Sequence, residues 1–294
     1  MPAIEKLVLV GAGLIGGSFS LALRRAAAVG RVVGVGRTAA SMAEAKRLGI
    51  VDEVADDFSC AADATLVMLA MPVGQTRAVL GKLAPRLGPS TIVTDAGSTK
   101  CDVVTAARAE LGGALPRFVP GHPVAGTEHS GPKAAFAELF RDRKTILTPI
   151  AETDAGAVML VREAWQACGA QVHELRPDVH DQVLATVSHL PHLLAFALVD
   201  QVASEAHAAQ LFSYAAGGFR DFTRIASSHP EMWRDICLAN RDALLRELSK
   251  YEGQLAGLRK ALEAADGAAV ETVFSRARAA RNRWIASADR GSSI

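Results

Sequence analysis

The sequence predicts two halves: an α/β half built on a doubly wound, mostly parallel sheet, followed by an all-α half. Three features predict it. A β-branched run stops at a glycine-rich turn that opens into a helical pattern. Strand and helix signals then alternate as far as Leu175. From Pro177 the strand signals vanish, and long segments carry helical apolar spacing. The expected division is residues 1–176 for dinucleotide binding and residues 177–294 for substrate binding and dimerisation.

Bulk properties narrow the class. The 294 residues leave room for two medium cores, and half of them are hydrophobic. A net charge of +1 with no long basic run gives no sign of a nucleic-acid partner. The apolar run Ala64 to Pro72 is too short to span a bilayer, and the amino terminus lacks a signal-peptide pattern. Cys60, Cys101, Cys168 and Cys237 form no C-x-x-C pair and read as reduced thiols. The expectation is a cytoplasmic protein with a small-molecule substrate and neither a membrane nor a nucleic-acid partner.

Taken in order, Lys6 to Val10 reads as the first strand, and Leu14, Phe19, Leu21 and Leu23 suit a helix. Between them stands Gly11-Ala12-Gly13-Leu14-Ile15-Gly16. Gly11 allows the tight turn, Gly13 lets the backbone approach a pyrophosphate, and Gly16 lets helix and strand pack closely. Strand, G-x-G-x-x-G and helix in that order mark a Rossmann-type sheet that binds a dinucleotide, the alternative being a mere packing turn.

The second strand, Arg31 to Gly36, runs into Arg37-Thr38 with no carboxylate for a ribose 2′-hydroxyl. Arg37, Thr38 and Ser41 can hold a 2′-phosphate, which favours NADP and leaves NAD possible. The alternative is that Arg37 is only a solvated charge. Thr65 to Ala70 is a buried strand leading into Met71-Pro72, expected under the cofactor, and Gln75 to Leu87 has helical spacing. Thr91 to Asp95 is a strand followed by a loop holding Ser98. The stretch Val119 to Gly131 reads as an ordered loop pinning His122 between Gly121 and Pro123. Strands near Lys144–Leu147 and Gln171–Leu175, with a helix near Asp154–Cys168, complete the sheet.

Helices are expected over Val179–Ala203, His207–Tyr214, Met232–Ala264 and Ala268–Ala286. They form either a dimer interface or a self-contained bundle. The first carries His189 and His192 on one face beside Pro191, with His180-Asp181 some turns earlier. With no H-E-x-x-H and no cysteine cluster, a polar patch for an anionic substrate is a better reading than a metal site, though burial against backbone satisfies at least one histidine equally well. Arg220 and Arg224, four apart after a glycine pair, can present a guanidinium to a carboxylate, or Arg220 can simply pair with Asp221. Trp233 reads as core.

These motifs together are specific. The Gly-rich turn, Asp95-Ala-Gly-Ser98-Thr-Lys100, Gly121-His122-Pro-x-Ala-Gly126-Thr127-Glu128, Ser188-His189-Leu-Pro-His192, Gly217-Gly-Phe-x-Asp221-Phe-Thr-Arg224 and Met232-Trp233-Arg-Asp235 run in order through nearly the whole chain. The chain resembles the prephenate/arogenate dehydrogenases of tyrosine biosynthesis. The resemblance implies a monofunctional, homodimeric enzyme that oxidatively decarboxylates prephenate or arogenate with NAD(P)+. It implies that His122 takes the ring-hydroxyl proton with help from Ser98. Arg224 would bind a substrate carboxylate, with His192, His189, Thr127 and Arg220 as further contacts. Glu128 and Asp221 would position or gate.

Overall fold

The computed structural model describes residues 3–127 and 129–291. Its first half alternates β1 (Ile4–Val10), α1 (Leu14–Arg25), β2 (Val29–Val35), α2 (Ala39–Arg47), β3 (Glu53–Val54), β4 (Leu66–Leu69), α3 (Thr76–Leu83), β5 (Ile92–Asp95), α4 (Cys101–Glu110) and β6 (Phe118–Val119). All six strands are parallel, in the order β3-β2-β1-β4-β5-β6. The order reverses between β1 and β4, which is where such sheets open a crevice at their carboxyl ends. Alternation along β1 feeds two cores: Leu7 and Leu9 join Phe19 and Trp165 on one face, and Val8 and Val10 join Val67, Leu80 and Val93 on the other.

The remaining strands correct the expectation of one continuous sheet. β7 (Gly121–Pro123), β8 (Lys144–Leu147) and β9 (Gln171–Glu174) form a separate three-stranded sheet, with α5 (Ala155–Ala167) between the last two. β7 is antiparallel to β8, and β8 is parallel to β9. His122 therefore lies in a strand, paired with Ile146, and not in the expected loop. Pro123 cannot donate to a ladder, and β7 is an edge strand, where that omission is harmless.

The helical half opens with α6 (Pro177–Leu184), continues through a π turn at Ala185–His189 into α7 (Leu190–Ala203), and goes on to α8 (Ala208–Ser213), α9 (Gly217–Thr223) and α10 (Pro230–Ala239). The single helix expected over Met232–Ala264 is broken: Asn240 leaves helical geometry and α11 (Arg241–Glu263) starts afresh, followed by α12 (Gly267–Gly291). By contacts, residues 1–243 make one compact unit and residues 244–294 another. The second unit is the rest of α11 and α12, joined at Ala265, whose φ is +51°.

Candidate active site

The glycine turn is built by steric exclusion. Gly11 has φ +92°, and a Cβ there would lie 2.5 Å from the Ala70 carbonyl oxygen. A Cβ on Gly16 would meet the Gly11 oxygen at 2.1 Å. Both positions are closed to any side chain, whereas Gly13, just ahead of α1, faces open space. The first turn of α1 has no acidic residue, so its amide dipoles face that space uncompensated. Room at Gly13 and a positive helix end fit a pyrophosphate. Ala12, Leu14 and Ile15 complete the turn, and Met71-Pro72 leave the end of the adjacent β4. Arg37 and Thr38 follow β2 and are exposed. Thr38 caps α2, its Oγ1 accepting from Ser41 N at 3.3 Å, so its own hydroxyl hydrogen stays free for a ligand.

His122 stands on the same rim. Buried Lys100 Nζ is paired with Asp95 and donates to the Gly121 carbonyl at 2.8 Å. Gly121 N in turn donates to Asp95 Oδ1 at 3.0 Å. The two charges thus clamp the residue before His122 to the end of β5. His122 is 8% exposed, and its Nδ1 lies 2.8 Å from His180 Nε2 of α6. His180 Nδ1 is in turn 2.8 Å from Asp181 Oδ1. Asp181 also accepts from the backbone N–H groups of Lys100 and Cys101, each at 2.8 Å, capping α4 from the other half of the chain. Burial, then the neighbouring His180 and Lys100, push His122 well below the usual imidazole range. His180 is lowered as well, chiefly by burial. Asp181 feels burial pushing it up, but its hydrogen bonds prevail and hold it below the usual carboxylate range.

The next helical turn brings two more imidazoles onto Trp233 of α10. Leu190 N bonds Ala185 O across the π turn, and Pro191 follows with no N–H to give. His192 stacks on the Trp233 ring with centroids 3.5 Å apart, and His189 meets its edge at 6.1 Å. Trp233 packs on Val73, just beyond Met71-Pro72, and is core as expected. Asn240 Nδ2 donates to Asp181 O at 2.8 Å and lies 3.0 Å from His189 Nδ1, which must therefore accept. His189 is left with its proton on Nε2, buried and without a protein partner among the described residues. His192 Nδ1 donates to the Ser188 carbonyl at 2.9 Å, leaving its Nε2 lone pair free. Burial lowers His189 to about 4, and burial likewise lowers His192. The Arg224 guanidinium is near enough to His192 to add to that effect.

Other expected residues are less engaged. Ser98 is half-buried in the loop between β5 and α4; among the described residues the side chain bonded to His122 is His180 and not Ser98. Thr127 is exposed and accepts from His129 N, and Glu128 lies outside the described residues. Arg220 is exposed and sits 3.9 Å from Asp221, the surface-pair alternative. The sequence reading attached no role to Lys100, Asp95 or Asn240, and took His180-Asp181 only as neighbours of a histidine patch for an anionic substrate, with a metal site as the lesser reading. A His-Asp dipeptide at a helix start, together with a lysine behind a strand-ending aspartate, was the available signal.

The family models for the prephenate dehydrogenase nucleotide-binding domain and the prephenate dehydrogenase dimerization domain match residues 19–174 and 176–275. A cyclohexadienyl dehydrogenase of Zymomonas mobilis is 37% identical, over 91% of this chain and 92% of its own. Among solved structures, A. aeolicus prephenate dehydrogenase in complex with hydroxyphenyl propionate and NAD+ superposes with TM-score 0.87 at 38% identity, covering 95% of this chain and 98% of that one. Synechocystis arogenate dehydrogenase gives 0.80 at 30% identity, covering 95% and 100%.

Proposed function

The chain belongs to the prephenate dehydrogenase family, and from that membership we propose how its own residues carry out the oxidative decarboxylation of prephenate, arogenate or both in tyrosine biosynthesis. The observation that carries the reading is His122, buried and neutral, held through Gly121 to the carboxyl end of β5 in the sheet whose first strand ends in the glycine turn. Oxidation of the ring alcohol removes hydride from carbon and a proton from oxygen. His122 takes that proton, and Ser98 bonds the same hydroxyl. Gly11 to Gly16 would hold the pyrophosphate of a nicotinamide dinucleotide and Met71-Pro72 would lie beneath it, and that cofactor would supply the hydride acceptor. As the ring carboxylate leaves as carbon dioxide, its bonding electrons enter the ring and make it aromatic.

Arg224 holds a substrate carboxylate, with His192 and the Nε2–H of His189 as further polar contacts. Thr127 and Arg220 stand farther out on the substrate side. His122→Asn should lower kcat by about 10²–10⁴ while leaving cofactor affinity in place. Arg224→Ala should chiefly raise the substrate KM. Steady-state kinetics with both substrates check the two together, and a normal kcat in the first variant removes His122 from the mechanism.

NADP is the preferred cofactor, with NAD also used, because β2 is followed by Arg37-Thr38 with no acid to repel a 2′-phosphate. Arg37→Asp should move the ratio of kcat/KM values toward NAD+; an unchanged ratio assigns Arg37 to the solvated surface.

The residues 177–294 form the dimerisation half. The helical stretch Pro177–Ala203 is, among the described residues, long and apolar enough to cross a membrane, with 27 residues. Its Asp181 bonds the backbone of Lys100 and Cys101 in the sheet half, and both His180 and Asp181 are buried, which supports the reading of a cytoplasmic enzyme that dimerises through its helical half over that of a membrane span.

A further inference from the structure

The hydrogen bonds around His122 fix more than its place. Asp181 can only accept from His180, because its carboxylate is already held ionised by two backbone N–H donors. His180 therefore carries its proton on Nδ1 and, being neutral, offers a lone pair on Nε2. That lone pair faces His122 Nδ1 at 2.8 Å, so the His122 proton sits on Nδ1. Nε2 of His122 is left as the basic atom. The reverse arrangement would put a lone pair of His180 against an ionised carboxylate.

We propose that Asp181 and His180 are positioning residues that set the tautomer of His122 and take over the proton charge it gains during turnover. The proposal rests on the reading of His122 as the base. When Nε2 of His122 accepts the hydroxyl proton, the N–H bond at Nδ1 can break as a new one forms at His180 Nε2. The positive charge then rests on the imidazole that adjoins the Asp181 carboxylate. His122 is left neutral with its proton on Nε2, and it returns to its starting tautomer when that proton leaves and the relay runs backwards. Ordinary burial of His180 and Asp181 would need no such continuous sequence of donors and acceptors.

Three measurements test this. Asp181→Asn removes the negative charge that faces the His180 Nδ1–H and should lower kcat by about 10²–10⁴ with little change in cofactor KM. His180→Gln keeps an acceptor for His122 Nδ1–H, and His180→Leu does not. The glutamine variant should therefore retain at least about tenfold more kcat, whereas equal losses in the two would mean that His180 only fills space. Because Asp181 also caps α4, the wild-type protein provides the deciding measurement. In ¹⁵N spectra of the histidine-labelled protein, with His122 assigned by its disappearance in His122→Asn, Nδ1 should be pyrrole-type and Nε2 pyridine-type. A pyridine-type Nδ1 overturns the proposal. Full activity in His122→Asn overturns instead the reading of His122 as base.

Discussion

Four imidazoles, His122, His180, His189 and His192, share one neighbourhood, and burial lowers all four. Neutral histidines suit a site that must take a proton and admit an anion, since a site already charged would bind too tightly to release. His189 shows the cost in stability. Its folded value is about 4, against about 6.5 in an unfolded chain. Between those values the unfolded state binds a proton that the folded state refuses, so stability falls as pH falls from about 6.5 to about 4 and is unaffected by this group above that window. The slope is about 1.4 kcal/mol per pH unit for one such group. His189→Gln should remove that much of the slope in urea unfolding measured across the window; an unchanged slope would mean that His189 is charged in the folded protein. His122 was legible in the sequence because glycine and proline flank it. Its partners were not, because His180 is 58 residues away and Asp181 bonds backbone 80 and 81 residues away. No local pattern encodes contacts that only tertiary packing creates.

At the scale of elements, the glycine turn separates two kinds of constraint. Gly16 has no room for a methyl group against the Gly11 oxygen, whereas Gly13 has nothing within 4 Å. Gly16→Ala should cost about 1–3 kcal/mol of stability or more and abolish cofactor binding with it. Gly13→Ala should fold normally and weaken cofactor binding alone. Thermal melts and NADP+ titrations of the two variants check the contrast, and equal destabilisation would refute it. The strands of the six-stranded sheet were readable from β-branched runs bounded by turn residues. The second sheet was not, because β7 is only three residues long and reads locally as Gly-His-Pro, a loop signature. The break at Asn240 was hidden too, since apolar spacing continues through it; the residue leaves the helix to bond Asp181 and His189.

For the whole molecule, the order of halves was written in the loss of strand signals at Pro177, but their interlocking was not. Leu211, Phe212, Tyr214 and Phe222 are exposed on α8, α9 and the turn between them, Tyr214 to 80%. Side chains of this size left in water favour burial by a second subunit. Light scattering should give twice the 30.8 kDa chain mass, and Tyr214→Asp with Phe222→Asp should shift the species toward the single chain. An unshifted mass would place the subunit contact elsewhere.

The cap that Asp181 places on α4 carries a lesson for anyone building chimaeras from this family. A catalytic half borrowed from one relative and a helical half from another would have to rebuild, besides the His122–His180 and Val73–Trp233 contacts, a junction of two amide hydrogens and one carboxylate. A graft that shifts that carboxylate by a single residue leaves the helix start bare and the base unsupported, however well the two cores fold. A working exchange of halves therefore needs this junction kept in register.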